Sequence, residues 1–202
     1  MLNRFRAFWT KIFSPVARLL LRLGISPDAV TVVGTLGVAF GALWFFPRGQ
    51  LLVGVLVVTA FVFSDLVDGH MARLSGSASK WGAFLDSTLD RVGDAAIFGG
   101  LVLYYVGPGE SDRLAALALY CLVMGSVTSY ARARAESLGM EARGGIAERA
   151  DRLAAILVMT GLSDLFDLPV LLVLTLMVLA VASTITVLQR ILQVRRQALS
   201  AA

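Results

Sequence analysis

Six long apolar stretches restrict what this chain can fold into. Each is close to the ~20 residues that an α-helix needs to cross ~30 Å of hydrocarbon. With 57% hydrophobic residues in 202 and a mean hydropathy of +0.79, the chain does not have the composition of a water-soluble domain. The pattern predicts one all-α integral membrane domain over 1–202, with six transmembrane helices at Ala29–Phe46, Leu51–Arg73, Gly82–Val106, Leu114–Ala135, Ala150–Phe166 and Pro169–Arg190.

The first 23 residues differ from these stretches, because their apolar positions recur every three or four residues. Phe5, Trp9 and Ile12 share one face, while Arg18 and Arg22 lie on another. This pattern predicts an amphipathic helix over 1–23 that lies in the membrane interface. A signal peptide is the alternative, but the two arginines interrupt its apolar core and no small-residue cleavage site follows.

Basic residues fall almost entirely on one side of the six-span arrangement. The other side has only Arg48 and Arg113. The positive-inside rule then predicts a multi-pass protein of the inner or plasma membrane, with both termini and a tail over 191–202 in the cytoplasm. The isoelectric point of 9.7 is explained by this topology and by attraction to anionic membrane lipid, so nucleic acid is not expected as a partner.

Five aspartates occur at helical spacing within the apolar stretches. Asp65 and Asp68 are three residues apart, and Asp86, Asp90 and Asp94 follow at intervals of four, so each set shares one helix face. Ionised groups at membrane depth mark functional sites, and converging carboxylates are stabilised by hard divalent cations. The acids therefore predict either a centre of two Mg²⁺ or Mn²⁺ ions that assists chemistry, or the ion pathway of a divalent-cation transporter.

A longer pattern joins these acids to the small residues around them. It reads Asp65-x2-Asp68-Gly69-x2-Ala72-Arg73-x8-Gly82-x3-Asp86-x3-Asp90. This resembles the D-x2-D-G-x2-A-R-x8-G-x3-D-x3-D signature of the CDP-alcohol phosphotransferases at all eight fixed positions. The six-span prediction and the amphipathic N-terminus also agree with that family, so the resemblance covers the whole chain.

The resemblance implies a role for each acid of the signature. In the family, the acids at the positions of Asp65, Asp68 and Asp86 hold one metal ion, and those at Asp65, Asp86 and Asp90 hold the second. The acid at Asp90 is also the general base that takes a proton from an acceptor alcohol. The alcohol oxygen then attacks the β-phosphorus of a CDP-linked lipid, and CMP leaves. The family also implies a homodimer.

Contacts to the CDP-lipid are implied at two places. Pro27–Thr31 resembles the P-N-x-x-T/S segment that contacts cytidine in the family, but has Asp28 in place of the usual Asn. The same segment also has the features of an ordinary helix start, and both interpretations can hold together. The predicted contacts are Asp28, Ala29, Val30, Thr31, Gly69, Ala72, Arg73 and Ser79, the last chosen over Ser77.

Arginines at the predicted cytoplasmic ends of three spans indicate the chemical class of the acceptor alcohol. Interface arginines commonly extend toward water as anchors, but Arg132, Arg152 and Arg190 can converge on one anion, and guanidinium groups suit phosphate. We therefore expect a phosphorylated acceptor. The segments Ser129–Glu136 and Glu148–Arg152 are similar to actinobacterial phosphatidylinositol phosphate synthases, which implies CDP-diacylglycerol and inositol phosphate as substrates. A phosphatidylglycerophosphate synthase, which uses glycerol 3-phosphate, is the alternative.

Overall fold

The computed structural model describes residues 14–77 and 79–200, without the side chains of Asp65 and Leu66. Every regular element in this part of the chain is helical, as predicted. The first helix, α1, spans 14–22. The others are α2 (Pro27–Phe45, extended by a 3₁₀ turn at Phe46–Arg48), α3 (Leu51–Val62), α4 (Ser64–Ser75), α5 (Lys80–Val106), α6 (Asp112–Ser137), α7 (Arg149–Leu165) and α8 (Pro169–Ser200).

Each predicted span falls on a helix, with two differences. The second span is divided at Phe63 into α3 and α4, and the sixth continues as α8 to Ser200, so the predicted tail is helical over 191–200. By length and composition, four helical segments of the described chain are apolar enough to cross a membrane: Pro27–Arg48, Leu51–Ser75, Asp112–Ser137 and Pro169–Ser200. The protein is thus of the multi-pass membrane type.

The two remaining helices, α5 and α7, account for the difference between four such segments and the six predicted. Asp86, Asp90, Arg91 and Asp94 place charges in the first half of α5. The other helix, α7, has only 17 residues and begins with charged ones. Charged side chains make α5 and α7 less apolar than the other four segments. The arrangement with six spans therefore stays a prediction.

The N-terminal helix packs on α4. Residues 1–13 of the predicted interfacial helix lie outside the described residues, and α1 covers 14–22. Ala17 is buried against Val67 and Met71. Ser14 Oγ lies 2.8 Å from His70 Nε2. These contacts attach α1 to the helix that contains Asp65 and Asp68.

Glycines allow the central helices to approach closely. A Cβ on Gly100 of α5 would lie 2.7 Å from the Ala42 carbonyl oxygen of α2, and one on Gly54 of α3 would lie 2.6 Å from the Phe46 ring. Small residues at helix contacts are the usual means of packing in membranes, where there is little hydrophobic force between helices. These close approaches pack α2 and its 3₁₀ extension against both α3 and α5.

The segment between α6 and α7 is attached to α8 by side chains. Thr186 Oγ1 accepts hydrogen bonds from the backbone N–H groups of Ile146 and Ala147, each at 3.1 Å. Gln197 exchanges hydrogen bonds with the backbone of Glu141. A Cβ on Gly145, whose φ is 134°, would lie 2.3 Å from Thr186 Cγ2, so only glycine fits there. These contacts fix the position at which α7 begins.

Candidate active site

An open cleft of about 660 Å³ lies between α2, α4 and the start of α5. We call it the acidic cleft. Five of the predicted lipid contacts and two of the predicted metal ligands line it, since the short connection after α4 brings the start of α5 back toward α4. Its lining residues are Pro27, Asp28, Thr31, Asp68, Gly69, Ala72, Ser77, Ser79, Gly82, Ala83 and Asp86.

Asp68 is the buried carboxylate of this cleft. Its Oδ2 accepts a 2.5 Å hydrogen bond from the hydroxyl of Thr31, which is a neutral partner. Asp86 and Asp90 are its acidic neighbours. A buried carboxylate surrounded by other acids is costly unless a cation balances it. The cleft therefore fits a hard divalent cation by its donor chemistry.

The predicted four-acid ligand set is only partly visible. Among the side chains that the structure describes, no three His, Cys, Asp or Glu groups are close enough together to hold one metal ion. The side chain of Asp65 lies outside the described part, although its backbone is in α4, almost one turn before Asp68. The assignment of Asp65, Asp68, Asp86 and Asp90 as metal ligands stays a prediction.

Two helix N-termini open onto the acidic cleft. Ser26 caps α2 by accepting a hydrogen bond from Ala29 N at 3.2 Å, and Ser79 caps α5 by accepting one from Gly82 N at 3.0 Å. The first turn of α5 contains no acidic residue. A helix N-terminus attracts anions through its unpaired N–H groups and dipole, so the start of α5 suits a phosphate group.

The predicted contacts around Pro27–Thr31 divide between the cleft and other surfaces. Asp28 and Thr31 line the cleft, whereas Ala29 is exposed and Val30 packs against the cluster of α1 and α4. The indole N–H of Trp81 donates to Asp28 Oδ2 at 3.1 Å. The unusual Asp28 thus has a partner on α5.

The remaining predicted lipid contacts lie along α4 and the connection to α5. Gly69, Ala72 and Ser79 line the cleft, and so does Ser77, which the sequence analysis had set aside. Arg73 is exposed, and its guanidinium lies close to Gly69. Their assignment to the CDP-lipid stays a prediction, which the shared cleft supports.

Asp90, the predicted base, is paired with an arginine from another helix. Arg149 Nη1 lies 2.8 Å from Asp90 Oδ1, and Arg91 Nη2 lies 3.7 Å from Asp90 Oδ2. Asp90 also lines a small internal cavity with Thr31 and Thr35 of α2. The carboxylate therefore lies at the boundary between the acidic cleft and a group of arginines.

Three arginines of that group meet at Asp94, one turn further along α5. Asp94 is buried, and its carboxylate oxygens lie 3.1 Å from Arg149 Nε, 3.6 Å from Arg91 Nη2 and 3.9 Å from Arg152 Nη2. Arg91 also bonds to Ser129 of α6. We call Arg91, Arg149, Arg152 and Arg190 the arginine cluster.

Two of the predicted acceptor ligands belong to this cluster. Arg152 is only 3% exposed and donates to the Ala147 carbonyl at 3.0 Å, while Arg190 donates to Gly144 O at 3.2 Å and Thr128 O at 2.6 Å. Arg190 is among the charged neighbours of Arg152. Both guanidiniums are thus held in place by backbone carbonyls.

Arg132 is placed differently from these two. Its side chain is 48% exposed and pairs with Glu136 at 3.0 Å. It is nevertheless a charged neighbour of Arg190. The assignment of Arg132, Arg152 and Arg190 to an acceptor phosphate stays a prediction.

Sequence reasoning missed several members of the site. Asp94 was noted among the five spaced aspartates but lies outside the signature, and its contacts with Arg149 and Arg152 were not predicted. Gly125 was not considered, yet a Cβ there would lie 3.3 Å from Arg152 Nε and Nη2, so this glycine makes room for the guanidinium. The one local signal was the segment Glu148–Arg152, which starts α7 with a capping box.

Comparison with known proteins identifies similar chains. A sequence profile of CDP-alcohol phosphatidyltransferases matches residues 24–145. The phosphatidylinositol phosphate synthase of Streptomyces avermitilis is 51% identical over 208 residues, which cover 100% of this chain and 85% of that protein. The similarity to this relative therefore continues through α7 and α8, beyond the segment that the profile matches.

Solved structures of similar fold come from the phosphatidylinositol phosphate synthase of Mycobacterium tuberculosis. One, with CDP-DAG bound, superposes with a TM-score of 0.87 at 43% identity and covers 91% of this chain and 94% of that chain. Another, in complex with manganese and citrate, has a TM-score of 0.84 at 44% identity, with coverage of 90% and 88%. The helical arrangement described above is thus shared with these structures.

Proposed function

Because the chain belongs to the CDP-alcohol phosphatidyltransferase family, we propose that it is a phosphatidylinositol phosphate synthase. It transfers the phosphatidyl group of CDP-diacylglycerol to inositol phosphate and releases CMP. Membership of this family favours a transferase over the divalent-cation transporter that the acids alone would allow.

The observation that carries this proposal is the arginine cluster beside the acidic cleft, in which Arg152 and Arg190 are buried and Arg91 and Arg149 are half-buried. Arg149 contacts Asp90 directly, so the nearest guanidinium of the cluster lies within 3 Å of the predicted base. An acceptor hydroxyl must come close to that base, and a phosphate on the same molecule is then within reach of guanidinium groups. A phosphorylated alcohol fits this arrangement better than a neutral one.

The cleft binds the lipid substrate in this proposal. Asp28 and Thr31 contact the cytidine part, and the start of α5 at Ser79 and Gly82 faces the diphosphate. Gly69 and Ala72 leave room for the ligand beside the acids, and Arg73 adds a positive charge at the edge. Two divalent cations, Mg²⁺ or Mn²⁺, held by Asp65, Asp68, Asp86 and Asp90, would neutralise the acids and polarise the diphosphate.

The chain's own residues then position the reacting groups. Asp90 accepts the proton of the inositol hydroxyl, the hydroxyl oxygen forms a bond to the β-phosphorus, and the bond from that phosphorus to CMP breaks. Arg132, Arg152 and Arg190 hold the acceptor phosphate on the opposite side from the cytidine. This orientation contributes to rate because it replaces a bimolecular encounter by a bound, aligned pair.

The membrane setting completes the proposal. The six helices α2, α3 with α4, and α5 to α8 cross the inner or plasma membrane, and both termini and the active site face the cytoplasm, where basic residues concentrate. The helix that includes α1 lies in the interface, with its apolar face toward lipid. The protein works as a homodimer, as the family implies.

An acceptor screen tests the proposed reaction. Purified full-length protein with CDP-diacylglycerol and Mn²⁺ is given inositol phosphate, inositol, glycerol 3-phosphate or glycerol, and CMP release is measured. We expect release with inositol phosphate and much less with inositol, because only the former engages the arginines. Release with glycerol 3-phosphate alone would instead identify a phosphatidylglycerophosphate synthase. Mn²⁺ flux into liposomes without CMP release would identify a transporter.

A further inference from the structure

One guanidinium joins the predicted base to a buried acid outside the signature. Arg149 Nη1 lies 2.8 Å from Asp90 Oδ1, and its Nε lies 3.1 Å from Asp94 Oδ1. The two carboxylates are four residues apart on α5, which places them on one face. The planar fork of arginine suits such a double contact, because its donors point in fixed and different directions.

Asp94 is also the buried counter-charge for two further arginines. Arg91 and Arg152 lie 3.6 and 3.9 Å from its Oδ2. Three guanidiniums thus surround the pair Asp90 and Asp94, which leaves a net positive charge on this side of the site. A buried carboxylate in such a network is expensive to form, and removing it leaves buried cations without a partner.

We propose that Asp94 is a positioning residue that retains Arg149 in the site, so that a cation bound at Asp90 releases one arm of Arg149 to the acceptor phosphate. This inference rests on the proposed function, because it takes Asp90 as a cation ligand and a phosphorylated alcohol as the acceptor.

The physical basis is competition for one carboxylate. A divalent cation held by Asp90 would neutralise the carboxylate that attracts Arg149 and would repel the guanidinium as well. The Nε contact to Asp94 remains, so Arg149 stays anchored and its Nη1 donor becomes available to the phosphate. Metal binding therefore favours acceptor binding, and by thermodynamic linkage the acceptor favours metal binding by the same factor.

The test measures binding without turnover. Inositol phosphate is titrated into full-length protein by calorimetry, without CDP-diacylglycerol, in the absence of Mn²⁺ and at fixed free Mn²⁺ concentrations. Mn²⁺ binding is followed by electron paramagnetic resonance with and without inositol phosphate. For the wild type we expect each ligand to tighten the other by about fivefold or more, and by equal factors.

Variants assign this linkage to Asp94. Asp94→Asn keeps the shape but removes the charge that anchors Arg149, and should reduce the mutual effect to less than about twofold, below the usual range of coupling between sites. Asp94→Glu keeps the charge and should restore part of it. Asp112→Asn, an exposed acid at the other end of α6, is the matched control and should behave as the wild type.

The outcomes distinguish the inference from the proposed function. Unchanged linkage in folded Asp94→Asn protein, or no linkage in a wild type that binds both ligands, overturns the inference. If Asp94→Asn does not fold, Arg149→Lys replaces it: lysine cannot span two carboxylates and a phosphate, so linkage should be lost while Mn²⁺ still binds, and retained linkage overturns the inference. Absence of both inositol phosphate binding and CMP release overturns the proposed function instead.

Discussion

The acidic cleft and the arginine cluster adjoin each other along α5, but they differ in the burial of their side chains and in the contacts these make. Asp28, Asp86 and Ser79 in the cleft are partly or fully exposed, and the hydrogen bonds of Asp28 and Ser79 are made with Trp81 and Gly82 at the start of α5. In the cluster, Arg152 and Arg190 are buried and donate to backbone carbonyls of α6 and the α6–α7 segment. The cleft therefore keeps its oxygen atoms available to ligands, whereas the cluster is assembled before any ligand arrives.

This difference separates the expected effects of mutation. Exposed cleft residues can change without loss of folding energy, so their substitution should affect chemistry alone. Buried cluster residues hold helices together and position charge at once, so their substitution should lower both stability and acceptor affinity. Parallel measurement of melting temperature and kinetics tests the contrast.

The largest effect is expected at Asp86. Asp86→Asn should abolish CMP release and Mn²⁺ binding while the melting temperature stays within ~2 °C, because the residue is exposed and its proposed role is to bridge both ions. Asp112→Asn, also exposed, should leave all three quantities unchanged. Near-normal turnover of Asp86→Asn would refute the two-ion assignment.

Asp90 lies at the boundary between the acidic cleft and the arginine cluster. Its substitution should separate the effect on catalysis from the effect on lipid binding. Asp90→Asn should lower kcat by about 10²–10⁴-fold, the usual contribution of a general base, while KM for CDP-diacylglycerol changes little. Steady-state kinetics with varied lipid substrate measures both. Equal losses in kcat and in lipid affinity would contradict the assignment of Asp90 as the general base.

Gly125 tests the cluster without removing a charge. In Gly125→Ala the new methyl group would meet Arg152 Nε and Nη2 at 3.3 Å, so the guanidinium must move. We expect KM for inositol phosphate to rise about tenfold, equivalent to ~1.4 kcal/mol, with a lower melting temperature and little change in KM for the lipid.

Gly99→Ala in α5 is the matched control for this substitution, since nothing lies within 4 Å of its added Cβ. It should leave both KM values unchanged and slightly raise stability, because alanine favours a helix more than glycine does. If Gly125→Ala behaves in the same way, Arg152 does not contribute to acceptor binding.

The smallest effect is expected for the contact between Trp81 and Asp28. Trp81→Phe removes the indole N–H that donates to Asp28 Oδ2 at 3.1 Å but keeps an aromatic ring. An exposed hydrogen bond of this kind contributes ~0.5–1.5 kcal/mol, so KM for CDP-diacylglycerol should rise about two- to tenfold with KM for inositol phosphate unchanged. An equal rise in both values would contradict separate lipid and acceptor regions.

Local patterns predicted most of the helices and the members of the cleft. The positions of α2, α5 and α6 follow from apolar length and turn residues, which act over a few neighbouring positions. Asp68, Gly69, Ala72 and Asp86 meet in one cleft because their spacing on two consecutive helices with a short connection leaves few other arrangements. The division at Phe63 and the extension of α8 to Ser200 left no such local signal.

The arginine cluster could be obtained only in part in this way, since Arg152 and Arg190 were predicted from their positions at span ends but their partners were not. Arg149 reaches Asp94 across 55 residues, and Arg190 reaches Thr128 across 62, so each contact depends on how α5, α6, α7 and α8 pack together. A position at the end of a span does not distinguish the arginines that turn inward, such as Arg152 and Arg190, from Arg132, which stays exposed. Burial of a guanidinium depends on carbonyl partners and on space such as that at Gly125, both of which arise only after packing.

By itself, then, the sequence determined an all-helical membrane protein with a row of acids at the start of its central helices. Those features depend on the chemistry and spacing of near neighbours. Only the tertiary structure decided that Asp90 pairs with Arg149 and that Arg149 and Arg152 meet at Asp94, because a buried charge takes whichever partner the packed helices bring within reach.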